Sequence, residues 1–493
     1  MLKSFFCSKF KIKAPLETLT KMKFKEKIQI KTTVKSSVAD LFTPIGIYLR
    51  LRDKFRDTIL LESAGNQNSG NNYSFIAINA IAGIEISNYQ EAEFKFPLGN
   101  PETISLENEV LTDLLQEFSA CFITEENNES IAKHAQGFFG YTSYDAIPFF
   151  ENIKFKKASA ENEIPLMRYR FYQYVIAINH FNDEMFLIEN HIVGLKSERK
   201  LIEDIINQKN APVFPFETAG NETSNLTDEE YRNSVEIAKK HCFRGDVFQL
   251  VLSRRFEQKF IGDEFNVYRS LRNINPSPYL FFFDYGDYKL MGSSPESQLI
   301  IKNNKAIIHP IAGTFKRTGS IEKDLEAAEE LKKDPKENAE HTMLVDLARN
   351  DLSIYGKNTK VTKLKEIQFF SHVIHMVSEV TADLKPNQNP FSMMATTFPQ
   401  GTLSGAPKYK AMELIDSYEK TSRSYYGGCV GFVGFDGSCN QAIMIRTFLS
   451  KNNTLFYQAG AGLVAHSVPE NELQEVNNKL GALKKAIKKA EKI

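Results

Sequence analysis

The stretch 428–460, GCVGFVGFDGSCNQAIMIRTFLSKNNTLFYQAG, decides how this chain folds. Gly428–Phe435, Gln441–Ser450 and Thr454–Gly460 are dense in apolar, aromatic and β-branched residues, and the turn Asp436-Gly437 parts the first two. Runs of this length bounded by turn residues read as strands. A β-meander is therefore predicted, closed by a helix from about Pro469 to Lys489. Further back, Val247–Leu252, Tyr279–Tyr285, Lys289–Met291, Gln298–Ile301 and Ala306–Pro310 have the same strand character. Helices are predicted between these groups. Thr227 and Glu230 form a T-x-x-E capping box before a helix to about Phe243, which Gly245 stops. Two more run from about Lys323 to Lys333 and from about Lys336 to Arg349, parted by Asp334-Pro335. Strands in series with helices between groups predict an antiparallel α+β architecture.

The first half is read in the same way. Ile45–Leu51, Thr58–Ser63 and Ser74–Ile86 are predicted strands, Glu109–Ala120 a helix, and Tyr169–Asn179 with Glu184–Asn190 a hairpin. Residues 206–226, rich in Asn, Pro, Ser, Thr and Gly, are predicted to be a linker. Residues 1–40 hold ten lysines and no arginine, with Glu17 and Glu26 among them. A mitochondrial leader favours Arg and avoids acids, so this segment is expected to be a solvated, poorly ordered basic tail. The plan is thus a tail over 1–40, an N-terminal domain over 41–205, a linker over 206–226 and a C-terminal domain over 227–489.

Composition narrows the function. Lys+Arg and Asp+Glu are both 61 in 493 residues, a net charge of zero. Nucleic acid is therefore not expected as the main partner, since phosphate binding needs a cationic surplus. No apolar run reaches the roughly 18 residues of a membrane span, so no membrane partner is expected. Five widely spaced cysteines without a C-x-x-C pair argue against a disulfide scaffold and for a reducing cytoplasm.

Glu337 and Glu340 lie three apart on one predicted helix, and Glu472 and Glu475 three apart on another. That spacing puts each pair on one helical face. Two such faces across a cleft would hold a hard divalent cation through oxygen, as Mg²⁺ prefers. Gly313-Thr314, Gly401-Thr402 and Gly460-Ala461-Gly462 each follow an apolar strand. Glycine there lets a backbone N–H approach an anion, although turn chemistry asks for the same residue. Arg446 falls within the predicted strand 441–450 and would need a carboxylate partner, from protein or ligand. His372 and His375 share a predicted helical or turn face and lack a zinc-protease context. Gly428-Cys429-Val430-Gly431 mimics a nucleophile elbow, with His466 and Glu470 downstream. Cys429 enters a strand instead of a strand–turn–helix corner, so a cysteine nucleophile is not expected.

Together these segments resemble the chorismate-utilising enzymes, most closely the anthranilate synthase component I family. The matching blocks are Gly245-Asp246-Val247-Phe248-Gln249 with Ser253-Arg254-Arg255-Phe256, Asn275-Pro276-Ser277-Pro278-Tyr279 with Gly292-Ser293-Ser294-Pro295-Glu296, Pro310-Ile311-Ala312-Gly313-Thr314, and Glu340-His341 with Val345 to Asp351. Gly401 to Lys408, Ala459 to Gly462 and Ser467 to Glu470 complete them. The resemblance implies large antiparallel sheets packed as a sandwich, helices outside, in two interleaved subdomains. It implies conversion of chorismate and ammonia to anthranilate and pyruvate with Mg²⁺ as cofactor.

By the same resemblance, Glu340 and Glu475 would be the nearest metal ligands, with Glu337 and Glu472 holding its waters. Gly460, Ala461 and Gly462 suit the ring carboxylate, Arg446 and Tyr426 the enolpyruvyl carboxylate, and Gly313 and Thr314 the ring. Glu296 corresponds to the general acid for the C4 hydroxyl and His375 to the base, with Thr402 positioning substrate. Relatives that make aminodeoxychorismate often carry Lys in the P-I-x-G-T motif, where this chain has Ala312. Leu60-Leu61-Glu62-Ser63, with Pro278, Tyr279 and Leu280, resembles a regulatory tryptophan site and implies feedback inhibition. The implied ammonia source is a separate glutamine amidotransferase subunit, in a heterodimer or heterotetramer.

Overall fold

A computed structural model describes residues 23–64, 72–155, 164–369 and 373–493. The predicted meander splits within it. Cys429–Gly434 pairs with Cys439–Ile443, and Thr447–Lys451 with Thr454–Leu463, but the second and third of these strands do not pair. Cys439–Ile443 runs beside Ser297–Lys302, whereas Thr447–Lys451 runs beside Tyr288–Ser294. The expected strand 441–450 is therefore interrupted, and Arg446 in the gap adopts φ +49°. A non-glycine residue in the left-handed region turns the chain sharply and marks a constrained position.

The two hairpins belong to two arms of one continuous ladder, which meet at Met167–Asn179. One arm passes through Tyr73–Ile86, Thr58–Glu62, Tyr279–Asp284, Tyr288–Ser294, Thr447–Lys451 and Thr454–Leu463 to Gln249–Gly262. The other passes through Gly137–Thr142, Cys429–Gly434, Cys439–Ile443, Ser297–Lys302 and Lys305–Ile308 to Val373–Asp383. Every pairing along these arms is antiparallel. The arms face each other as a sandwich: Ile59, Phe281 and Leu449 from one and Tyr141, Val430 and Ala442 from the other share one core. The hydroxyls of Tyr141 and Tyr288 meet across it at 2.7 Å.

Alternate residues of the same strands, such as Leu60, Phe282 and Phe448, join a second, outer core with residues of the helices. Side chains alternate along a strand, so a strand covered on both faces is apolar throughout. That is why these runs read as continuous apolar stretches. The outer layer includes Asp228–Phe243, Phe265–Ile274, Lys408–Tyr418 and Pro469–Ala490. The Thr227 capping box forms as its spacing requires.

Several expectations need correction. Ile45–Leu51 lies in a helix, Pro44–Leu51, because Thr43 caps it and Pro44 takes its first position. Within the supposed tail, Ile28–Val38 is a strand along Glu184–His191. Ile28, Ile30 and Thr32 point inward, and the polar Gln29 and Lys31 between them hid that alternation. Residues 1–22 lie outside the described residues. Within the supposed linker, Phe216–Ser224 is an edge strand on Gln249–Gly262, anchored by Phe216 against Phe260; its exposure explains its polar composition. The interleaving of the two halves, 41–205 and 227–489, by contrast, is as the resemblance implied. Thr58–Glu62 pairs with Tyr279–Asp284, and Gly137–Thr142 with Cys429–Gly434, so both sheets interleave strands from both halves. Among the described residues no helix is long and apolar enough to cross a membrane.

Candidate active site

The break at residues 444–446 sits where a cleft needs it. Arg446 Nη1 reaches Asn275 Oδ1 at 3.5 Å, and no carboxylate lies within ion-pair distance of Arg446 among the described residues. Burial lowers its pKa, while Glu296 nearby opposes that. A guanidinium held in a buried cleft without a carboxylate is suited to an anionic ligand.

Glu296 lies between the strands Tyr288–Ser294 and Ser297–Lys302 and is 8 % exposed. Burial pushes its carboxyl up to about 8. The Thr402 hydroxyl donates to its Oε1 at 3.2 Å, and Arg446 and Lys479 favour its ionised form more weakly. A carboxylic acid protonated at neutral pH is what general-acid chemistry needs.

His375 is in the strand Val373–Asp383, not on the helical or turn face expected; His372 lies outside the described residues. Strand geometry places His375 opposite Thr314. Its Nδ1 lies 3.2 Å from the Gly313 carbonyl, and burial lowers its pKa to about 4. Gly313 sits at a bulge with φ +78°, and an added Cβ would lie 2.7 Å from Leu331 Cδ1 and 3.2 Å from Glu337 Oε2. Glycine is required there on both counts.

Asp334 caps the helix Pro335–Ser353, which carries Glu337 and Glu340. The Gln249 amide donates to Glu340 Oε1 at 2.9 Å. A Cβ on Gly462 would strike Gln249 Nε2 at 2.3 Å and stand 3.6 Å from Glu340 Oε1. Beyond Tyr457, the strand Thr454–Leu463 has no strand partner on one edge among the described residues. Lys479 Nζ bridges the Gly460 carbonyl at 2.9 Å and Glu475 at 2.8 Å. Tyr426 is buried.

Burial raises the pKa of Glu337, Glu340 and Glu472, and neighbouring carboxylates raise each further, with Glu475 acting on all three. Carboxylates that oppose one another's ionisation form a field suited to a cation, and an all-oxygen donor set fits Mg²⁺. As they stand, no three ligating side chains among the described residues are gathered tightly enough to hold an ion. Glu475 is instead paired with Lys479.

The two parts of the expected regulatory site are neighbours. Glu62 pairs with Leu280 and Leu61 with Phe281. Ala64 N–H donates to the Ser277 carbonyl, which places Ser63 beside the Pro278-Tyr279 segment. The Glu62 carboxylate faces the helix Phe265–Ile274 and accepts from Tyr268 at 2.8 Å and Arg272 at 2.9 Å. Cys429 is fully buried in its strand and burial pushes its thiol up to about 12, so it is inert.

Sequence reasoning left two contacts unassigned. Gln249, within the Gly245–Gln249 block, orients Glu340. Asn275 touches Arg446 and also donates to Ser293 Oγ at 3.1 Å, tying the Asn275–Tyr279 segment to the cleft. A polar residue inside a quoted motif was the only signal for either.

Comparison with known proteins agrees with this arrangement. Residues 59–485 match the chorismate binding enzyme model. The chain is 34% identical to anthranilate synthase component 1 of Aquifex aeolicus, over 92% of this chain and 94% of that protein. It is 36% identical to the protein of that name from Neisseria meningitidis serogroup B, over 91% and 93%. The crystal structure of anthranilate synthase component I from Streptococcus pneumoniae superposes with a TM-score of 0.72 at 29% identity, covering 91% of this chain and 98% of that one. The menaquinone-specific isochorismate synthase of Escherichia coli shares the fold, with a TM-score of 0.70 at 16% identity, covering 94% and 97%. With a cleft built from the residues that carried the resemblance and relatives aligned over nearly its whole length, this chain belongs to the chorismate-binding enzymes, in the anthranilate synthase component 1 family.

Proposed function

We propose that this chain converts chorismate and ammonia to anthranilate and pyruvate. The observation that carries the reading is Glu296, a buried carboxyl with its pKa near 8, hydrogen-bonded to Thr402 and close to a guanidinium that forms no carboxylate ion pair among the described residues. Arg446 and Tyr426 bind the enolpyruvyl carboxylate, and the 460–462 edge receives the ring carboxylate. Glu296 gives its proton to the departing C4 hydroxyl as ammonia bonds to C2. His375, neutral at physiological pH, then takes the C2 proton as pyruvate leaves. Ala312 offers no amine at the position where aminodeoxychorismate-forming relatives often have Lys. Glu340 and Glu475 would hold Mg²⁺, with Glu337 and Glu472 on its waters; when bound it neutralises the ring carboxylate.

Ammonia is supplied by a component 2 glutaminase subunit, a reading supported by the component 1 names of the relatives. Tryptophan binds between Leu61-Glu62-Ser63 and Pro278-Tyr279-Leu280 and inhibits, a reading supported by the pairing of those two strands. Ser63→Ala is expected to raise the tryptophan concentration for half inhibition; unchanged inhibition would count against this site.

Purified chain, chorismate, Mg²⁺ and an ammonium salt at mildly alkaline pH are expected to give anthranilate fluorescence and an equal amount of pyruvate, abolished by EDTA. Chorismate loss without pyruvate would indicate aminodeoxychorismate formation and refute the proposal.

A further inference from the structure

A small chamber adjoins Glu296. Glu296, Thr402, Gln400 and Gly401 form one wall, and Leu344, Leu347 and Ala348 another. About 10 Å³ of it is open to the centre of a water molecule, close to the roughly 10–15 Å³ that one buried water needs. None of Arg446, His375, Glu340 or the 460–462 edge lines it.

Its place along the helix is informative. Glu337 and Glu340 occupy the first turns of Pro335–Ser353, whereas Leu344, Leu347 and Ala348 lie one and two turns further on, about 6 to 12 Å along the axis. With Glu340 near the C1 carboxylate and Glu296 as the acid for C4, the roles proposed above, C4 lies at Glu296, which lines the chamber. Ammonia attacks C2, next to C1, and so approaches from elsewhere.

The polar groups at the chamber suit water. Thr402 and the Glu296 carboxyl each donate or accept, and the Gln400 amide nitrogen is engaged on the Gln298 carbonyl. Among the described residues the Gln400 carboxamide oxygen accepts no hydrogen bond and remains for a water. Two to four such partners are what a buried water requires.

We propose that this chamber receives the water released from C4, an inference that rests on the function proposed above. In that step the Glu296 O–H bond breaks and the proton joins the C4 oxygen. The C4–O bond breaks with its electron pair, which departs as water. Ammonia's lone pair forms the C2–N bond, and the ring's two double bonds each shift one place toward C4. The new ammonium group sheds one proton and the Glu296 carboxylate regains one, so no proton is consumed. A water trapped against the ring would reverse the step; a chamber beside Glu296 that takes it up prevents this.

The test has two parts. A crystal structure of the full chain with anthranilate and pyruvate bound should show an ordered water within hydrogen-bond distance of Glu296 or Gln400. Ala348→Val, which fills the chamber, should lower kcat for chorismate consumption at least tenfold with KM within twofold, while Ala348→Ser should stay within threefold of the parent. A dry chamber, a parental kcat in folded Ala348→Val, or equal losses in both variants would overturn the proposal. If Ala348→Val does not fold, the ordered water in the parent chain decides. A parent chain that consumes no chorismate would refute the functional reading instead, independently of the crystal result.

Discussion

Glu296→Gln separates the electrostatics of the buried acid from its chemistry. Burial raises the native pKa of Glu296 to about 8 from its ordinary value of 4.5. The native state therefore holds a proton that the unfolded state has lost between those values, so the parent loses stability as pH rises through that window. The contribution is fully present below about pH 4.5 and fully lost above about pH 8. Glutamine keeps the shape and cannot ionise, so the variant escapes the loss. At about 1.4 kcal/mol per pKa unit, the variant's advantage should be about 1 kcal/mol at pH 5, about 3 at pH 7 and about 5 at pH 8.5. Denaturant unfolding of both proteins at those three pH values measures it. Activity should move the opposite way, falling roughly 10²–10⁴-fold with loss of the general acid. The parent's kcat/KM should decline above pH 8. A stability difference that stays flat across this range would refute the reasoning, because Glu296 would then be ionised in the native protein at neutral pH.

Three further outcomes follow from the geometry. Gly313→Ala forces a side chain into φ +78° and against Leu331 and Glu337; it should cost about 1–3 kcal/mol and depress kcat, read by thermal melting and steady-state rates. Gly462→Ala drives a Cβ into the Gln249 amide and so displaces Glu340; the Mg²⁺ concentration for half-maximal activity should rise several-fold with little change in fold by circular dichroism, and an unchanged Mg²⁺ requirement would separate Gln249 from the metal ligands. Lys408 and Asp351 form a buried ion pair at 2.7 Å that ties the helix Pro335–Ser353 to the chain just after Thr402. Lys408→Met should cost roughly 3–5 kcal/mol in denaturant unfolding by leaving Asp351 unpaired, and Asp351→Asn in the same background should recover much of it.

How much was legible in the sequence follows from what each signal measures. Helix caps are local, so the spacing of Thr227 and Glu230 gives the cap directly, whereas Asp334-Pro335 reads as the break between two helices and only the structure shows Asp334 capping the second. Apolar runs were found because the strands are covered on both faces. The exceptions share a cause. Ile28–Val38 and Phe216–Ser224 are strands only because each has a partner distant in sequence, Glu184–His191 for one and Gln249–Gly262 for the other, and their exposed positions carry lysine and other polar residues. Ile45–Leu51 was misread because a short apolar run suits helix and strand alike. For the site, the motifs named Glu296, His375, Thr402 and Arg446, whereas the raised pKa of Glu296 and the roles of Gln249 and Asn275 arise from contacts across long stretches of chain.

Residues 428–460 show where the boundary falls. Their composition by itself marked three apolar strand runs, since local strand preference and apolar density need no partner to be read. Whether Gln441–Ser450 stays one strand was decided by tertiary pairing. Cys439–Ile443 finds Ser297–Lys302 in one sheet and Thr447–Lys451 finds Tyr288–Ser294 in the facing one, so the backbone between them must turn. That turn places Arg446 in the cleft, close to Glu296, His375 and Asn275. Strand alternation is a property of neighbouring residues, but the choice of ladder partner is a property of the whole chain, and the guanidinium's position depends on the second.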